Sequence, residues 1–191
     1  SHQISCKIQE EKGDIIMEED KKEEKEETIS TSIDSILKER ERLEKVIEEK
    51  FKKEITILFT DICGYTKYME TKGDISGRNM LKKHNDIVFP LVEQYKGVVI
   101  KTIGDAIMAT FEDPLNAIKT AEDVQKDLFE YNRKTPVSDR IHVKIGINTG
   151  DALIDDKDVF GDAVNIASRV QRIGVPSCVL FFSDVLENIL D

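Results

Sequence analysis

Val98-Val-Ile-Lys-Thr-Ile-Gly-Asp-Ala-Ile-Met-Ala-Thr-Phe111 reads as two strands, 98–103 and 106–111, joined by Gly104-Asp105. Apolar, β-branched runs favour extended chain, and a two-residue Gly-Asp link is a hairpin signal. Upstream, Ile55-Thr-Ile-Leu-Phe-Thr60 is a further buried strand, after which Gly64 and Thr66 open a helical stretch. Residues 75–95 follow the helical period, with Met80, Leu81, Ile87, Val88, Leu91 and Val92 inward and Pro90 as a kink. Downstream, Asp113-Pro114 is an N-cap and first-turn proline for a helix reaching about Tyr131. Residues 141–148 alternate as a strand, Thr149-Gly150 reads as a turn, and 151–154 begins another strand. Residues 161–172 are helical, 178–182 form a short strand, and Ser183 caps a last helix. The order β-α-β-β-α-β predicts an α+β fold: a ferredoxin-like antiparallel sheet with helices on one face.

The chain has 191 residues, room for one sizeable core plus an appendage. Its net charge of −10 argues against binding nucleic acid or an anionic membrane through a basic face. No run of about 18 apolar residues exists to span a bilayer. Cys6, Cys63 and Cys178, odd in number and scattered, fit reduced thiols of a cytoplasmic protein and no zinc site. The first residue, Ser1, suggests a piece of a longer protein. Residues 1–27 hold ten acids and five lysines, an acidic arm that buries too little to order itself. Residues 28–53 read as a helical stalk, with Ile29, Ile33, Ile36, Leu43, Ile47 and Phe51 apolar and Ser30, Thr31 or Ser32 as the cap. The narrow seam favours a short coiled coil over a lone amphipathic helix.

Asp61 ends the strand at 55–60 and Asp105 occupies the hairpin turn. In this topology both carboxylates converge at one sheet edge. At about 4 Å they repel by roughly 4 kcal/mol at an effective dielectric near 20, a penalty that a divalent cation removes. Spacing alone fits two turn-capping aspartates equally well. Gly64, at a strand-to-helix junction, exposes backbone N–H groups suited to phosphate, or simply turns the chain. Asn165 and Arg169 are one turn apart on a helix face, either a phosphate-and-sugar clamp or a solvated polar pair. Lys101 is an exposed strand lysine or shares a face with Asp105.

Together these residues resemble the class III adenylate/guanylate cyclase catalytic domain, adenylate type. Four motifs follow the family's order: Phe59-Thr-Asp-Ile-Cys-Gly-Tyr-Thr66, Lys101-Thr-Ile-Gly-Asp-Ala106, Ile145-Gly-Ile-Asn-Thr-Gly150, and Asp158-Val-Phe-Gly-Asp-Ala-Val-Asn-Ile-Ala-Ser-Arg169. The resemblance covers 54–191. It implies conversion of ATP to cyclic AMP and pyrophosphate with two Mg²⁺ or Mn²⁺ ions per site. Asp61, Asp105 and the Ile62 carbonyl match the metal ligands. The backbone of Cys63, Gly64, Tyr65 and Thr66 matches the triphosphate cradle, Lys101 and Asp158 the purine-reading pair, Asn165 the ribose-orienting residue and Arg169 the transition-state cation. The resemblance further implies a head-to-tail homodimer with its sites at the interface, and an upstream sensor or membrane domain. Phe160 stands where tryptophan is common. No lysine follows Lys157, where the family continues with strands carrying a phosphate-gripping lysine. The expectation is therefore a C-terminally truncated domain of weak or absent activity. The alternative is a non-catalytic cyclase-homology module that binds nucleotide or dimerises.

Overall fold

The computed structural model describes residues 32–155, 158–182 and 185. The acidic arm, the caps at Ser30 and Thr31, and all of the terminal helix except Val185 lie outside the described residues. Contacts divide the chain into Ser1–Lys45 and Val46–Asp191. Helix α1 is Ile33–Phe51. Ser32 caps it, its hydroxyl accepting the Ser35 amide at 3.2 Å. No residue of α1 is buried.

The remaining elements are β1 (Lys52–Ile62), α2 (Tyr65–Lys72), α3 (Asp74–Gln94), β2 (Val98–Ile103), β3 (Ala106–Phe111), α4 (Pro114–Arg133), a short 3-10 turn (Val137–Asp139), β4 (Val143–Asp155), β5 (Asp158–Phe160), α5 (Asp162–Ile173) and β6 (Cys178–Phe181). The sheet runs β2-β3-β1-β4-β5, with β6 also on β4. The first four strands keep the ferredoxin-like order, with β1 between the hairpin and β4. The hairpin pairs as read, Ile103 opposite Ala106, with a bulge between Val99 and Lys101.

Several details differ from the sequence reading, among them the short strand β5 and the start of β1 at Lys52, inside the expected stalk. Residues 143–155 form one strand, not two strands around a turn at Thr149-Gly150. Unbroken antiparallel pairing with β1, from Lys52 opposite Leu153 to Ile62 opposite Val143, overrides the local turn signal. The buried Thr56 and Thr149 hydroxyls hydrogen-bond at 2.9 Å across that pair. β6 joins β4 in parallel, so the sheet is mixed. Helices cover both faces, because successive strand side chains point opposite ways and both sets here are apolar.

On one face Leu58, Ile107, Val143, Ile145 and Ile147 meet Val88 and Val92 of α3 and Ala121, Val124 and Leu128 of α4. Val185 joins this core. On the other, Ile57, Phe59, Met108 and Ala152 meet Ala163 and Ala167 of α5. Here α5 lies unusually close to β4. A Cβ built on Gly146 would stand 2.3 Å from the Gln171 amide nitrogen, and one on Gly150 3.3 Å from the Ala163 methyl. Among the described residues no helix is long and apolar enough to cross a membrane.

Candidate active site

Alternation along β1 puts Asp61 on the face of Ile57 and Phe59, the face on which those two residues pack against α5. Asp105 sits in the β2–β3 turn behind Gly104, whose φ of 63° suits glycine. Its Oδ2 accepts the Ile62 amide at 3.1 Å, tying the turn to the end of β1. Burial, and then the neighbouring Asp61 charge, raise the Asp105 carboxyl above its ordinary range. The two carboxylates thus converge, as the sequence reading expected. Lys144, opposite Asp61 on β4, brings its ammonium to 3.5 Å from Asp61 Oδ2. No motif reading had singled out Lys144; pairing 55–60 with 141–148 in register would have found it.

Past Ile62, the Cys63 amide donates to the His142 carbonyl at 2.8 Å. Its half-buried thiol is raised chiefly by desolvation, which keeps it neutral. Gly64 has φ 74° and precedes α2, whose first turn at Tyr65 and Thr66 has no side-chain cap. A Cβ at Gly64 would meet nothing within 4 Å, so backbone conformation and not space requires the glycine.

A second group lies on the same side of the sheet. Lys101 Nζ donates to both Asp158 oxygens at 2.6 Å, joining β2 to β5. Asp158 Oδ1 also accepts the Val159 amide at 2.8 Å. The Lys101 hydrogen bond holds the Asp158 carboxyl below its ordinary range. Asn165 and Arg169 are exposed, one turn apart on α5, whose Ala163, Ala167 and Val170 face inward. Among the described residues no hydrogen bond or ion pair joins Asp61 or Asp105 to Lys101, Asp158, Asn165 or Arg169.

His84 is fully buried on α3, its Nε2 3.2 Å from the Thr60 hydroxyl. Burial lowers its pKa to about 4, so it is neutral at physiological pH. It lies on the opposite face from Asp61, and the sequence reading gave it no role.

Among the described residues no cluster of three or more His, Cys, Asp and Glu could hold a metal ion. Two converging carboxylates and a main-chain carbonyl are nevertheless hard oxygen donors that leave room for substrate oxygens, which fits Mg²⁺ or Mn²⁺.

The family model described as the adenylate and guanylate cyclase catalytic domain matches residues 47–190. An adenylate cyclase of Anabaena cylindrica is 33% identical over 135 residues, which is 62% of this chain and 27% of that protein. The chain spans only 6% to 33% of the length of several other curated relatives. The crystal structure of an adenylate/guanylate cyclase/hydrolase from Silicibacter pomeroyi superposes with a TM-score of 0.63 at 33% identity, covering 71% of this chain and 79% of that one. The adenylyl cyclase CyaB from P. aeruginosa shares the fold, with TM-score 0.67 at 22% identity over 73% of this chain and 82% of that one.

Proposed function

The chain belongs to the adenylate and guanylate cyclase catalytic domain family, and on that premise we propose that it is an adenylate cyclase domain converting ATP to 3′,5′-cyclic AMP and pyrophosphate in a homodimer. The observation that carries this reading is the presence of two complementary groups on one chain with no bond between them. A head-to-tail pair of copies brings the carboxylates of one against the Lys101, Asp158, Asn165 and Arg169 set of the other, twice over.

Asp61, Asp105 and the Ile62 carbonyl would hold two Mg²⁺ or Mn²⁺ ions, which supply Lewis acidity toward the ribose 3′-hydroxyl and screen the triphosphate. The uncapped N–H groups around Gly64, Tyr65 and Thr66 cradle phosphate oxygens, and the Lys144 ammonium beside Asp61 adds a cation there. Asn165 orients the ribose so that its 3′-oxygen lies in line with the α-phosphorus. Arg169 meets the charge that grows on the α-phosphoryl oxygens as pyrophosphate leaves.

Base choice follows from the Lys101–Asp158 pair. An ammonium has three donors, and Asp158 engages two, leaving one for adenine N1. Asp158 has free lone pairs for the N6 amino group. Guanine offers N1–H and O6 at those places, so both contacts fail. A cytoplasmic setting suits a nucleotide substrate and free thiols.

The second reading is a non-catalytic cyclase-homology module that binds nucleotide or only mediates dimerisation. Incubation with Mn²⁺ or Mg²⁺ and either ATP or GTP, followed by quantitation of cyclic product, separates them. Cyclic AMP from ATP, abolished by Asp105→Ala, is the expected result. Silence with both metals and both nucleotides would leave the non-catalytic module.

A further inference from the structure

Asp61 and Lys144 stand directly opposite each other on β1 and β4, so their side chains share a face. The Lys144 ammonium lies 3.5 Å from Asp61 Oδ2, and the two side chains are only 21% and 29% exposed. A pair so covered is screened less than one on the open surface. The Lys144 backbone is fixed on both edges, by Asp61 of β1 and by Cys178 of β6. Its point of attachment stays put, and only the flexible four-carbon stem can carry the charge elsewhere.

That Asp61 oxygen belongs to the group assigned above to a divalent cation. On its other side Asp105 is tied to the end of β1 through the Ile62 amide. The two carboxylates offer such a cation two negative charges, and the ammonium cancels one. Among the described residues no other ammonium or guanidinium forms an ion pair with either carboxylate. Oxygen sites bind hard cations more weakly as the charge of their ligands falls. Across so short a gap an ammonium and a metal ion on one carboxylate repel strongly. One has to yield, and the lysine stem is the part that can swing.

We propose that Lys144 competes with the divalent cation for Asp61, so that the chain takes up free cation weakly and takes it up well only together with the triphosphate. The phosphate oxygens give the displaced ammonium another partner. Cation and nucleotide are thereby coupled, each improving the other's binding by the same factor. The handover to phosphate rests on the catalytic reading above, whereas the competition for Asp61 needs only this chain's own residues.

Mn²⁺ binding to the full 191-residue chain without nucleotide, read from the electron paramagnetic resonance of the free ion, tests the competition. Lys144→Met should tighten binding by about tenfold. Lys144→Arg keeps the charge and should keep the weak binding. Lys119→Met removes the same charge from an exposed position on α4, over the opposite face of the sheet, and should change nothing. Calorimetric titration with Mn²⁺ and α,β-methylene-ATP, which cannot cyclise, tests the handover. Here Lys144→Met should loosen binding by about tenfold. A variant that is merely misfolded loses affinity in both titrations, so the opposite signs are the signature.

Free Mn²⁺ bound no more tightly by Lys144→Met, or equally tightened by Lys119→Met, overturns the proposal. Tighter Mn²⁺ with the analogue unaffected overturns the handover. A parent that shows both shifts and makes no cyclic AMP sinks the catalytic reading alone, whereas an active parent whose Lys144→Met variant binds free Mn²⁺ unchanged sinks this one alone.

Discussion

Replacing Gly146 by alanine should damage the site from the far side of a helix. The added Cβ would lie 2.3 Å from Gln171 N and 2.6 Å from its Cα, where ordinary contact begins at 3.4 Å. Both obstructing atoms are backbone, so no rotamer change relieves the clash. Helix α5 must retreat by about 1 Å, and overpacking of this kind costs about 1–3 kcal/mol. For a domain of this size that lowers Tm by about 2–12 °C. The same retreat moves Asn165 and Arg169, and a displacement near 1 Å costs on the order of 100-fold in rate. The assay is cyclic AMP production set beside a thermal melt. Arg169→Ala serves as control: Arg169 is exposed and makes no ion pair among the described residues, so it should lose rate without losing Tm. A Gly146→Ala chain that melts with the parent and turns over within threefold of it would refute the reasoning.

Asp105→Asn should abolish turnover yet melt higher than the parent at pH 7 without divalent cation. A carboxyl whose pKa is raised by folding adds stability below its unfolded value and loses it as pH rises through the folded one, so the gain should vanish in acid. Added Mg²⁺ should raise the parent's Tm and leave the variant's unchanged; the opposite order of Tm values counts against the paired-carboxylate reading. Asp158→Ala should cut the ATP-over-GTP preference in kcat/KM by about 10- to 100-fold, measured with both nucleotides in parallel. His84, with its pKa lowered to about 4, makes the unfolded chain the better proton acceptor between that value and about 6.5. Stability should therefore fall by on the order of 3 kcal/mol as pH drops through that window, and denaturant midpoints should show a smaller pH slope in His84→Gln.

Most of the framework was legible because the informative residues are local. The hairpin at Gly104-Asp105, the Asp113-Pro114 helix start and the inward face of α3 each rest on a few neighbouring side chains, and each stands as read. What escaped depends on partners distant in sequence. Thr149-Gly150 carries turn-forming residues, and only pairing with Thr56 and Ile55 across β1 keeps it extended. The motif from Ile145 to Gly150 was recognisable without a physical role. The structure supplies one, since Gly146 and Gly150 lie four apart on one face of β4 and make room for α5. Lys144 escaped because a lone lysine in a strand carries no signal until the strand opposite it is known.

The long register between β1 and β4 also shapes how the chain comes to be folded. Its partners stand 81 to 101 residues apart in sequence, from Ile62 with Val143 to Lys52 with Leu153. Pairing them closes a large loop before any contact repays the entropy, so this step should be slow beside formation of the hairpin. On the ribosome, at roughly 5–20 residues per second, β1 waits about 5–20 s for its central neighbour. Through that interval an apolar strand, Ile55 to Phe59, has one edge and one face uncovered, which makes the nascent chain a natural client for a holdase. Substitutions that slow β4, more than those that loosen the finished core, are the ones expected to send this protein into aggregates.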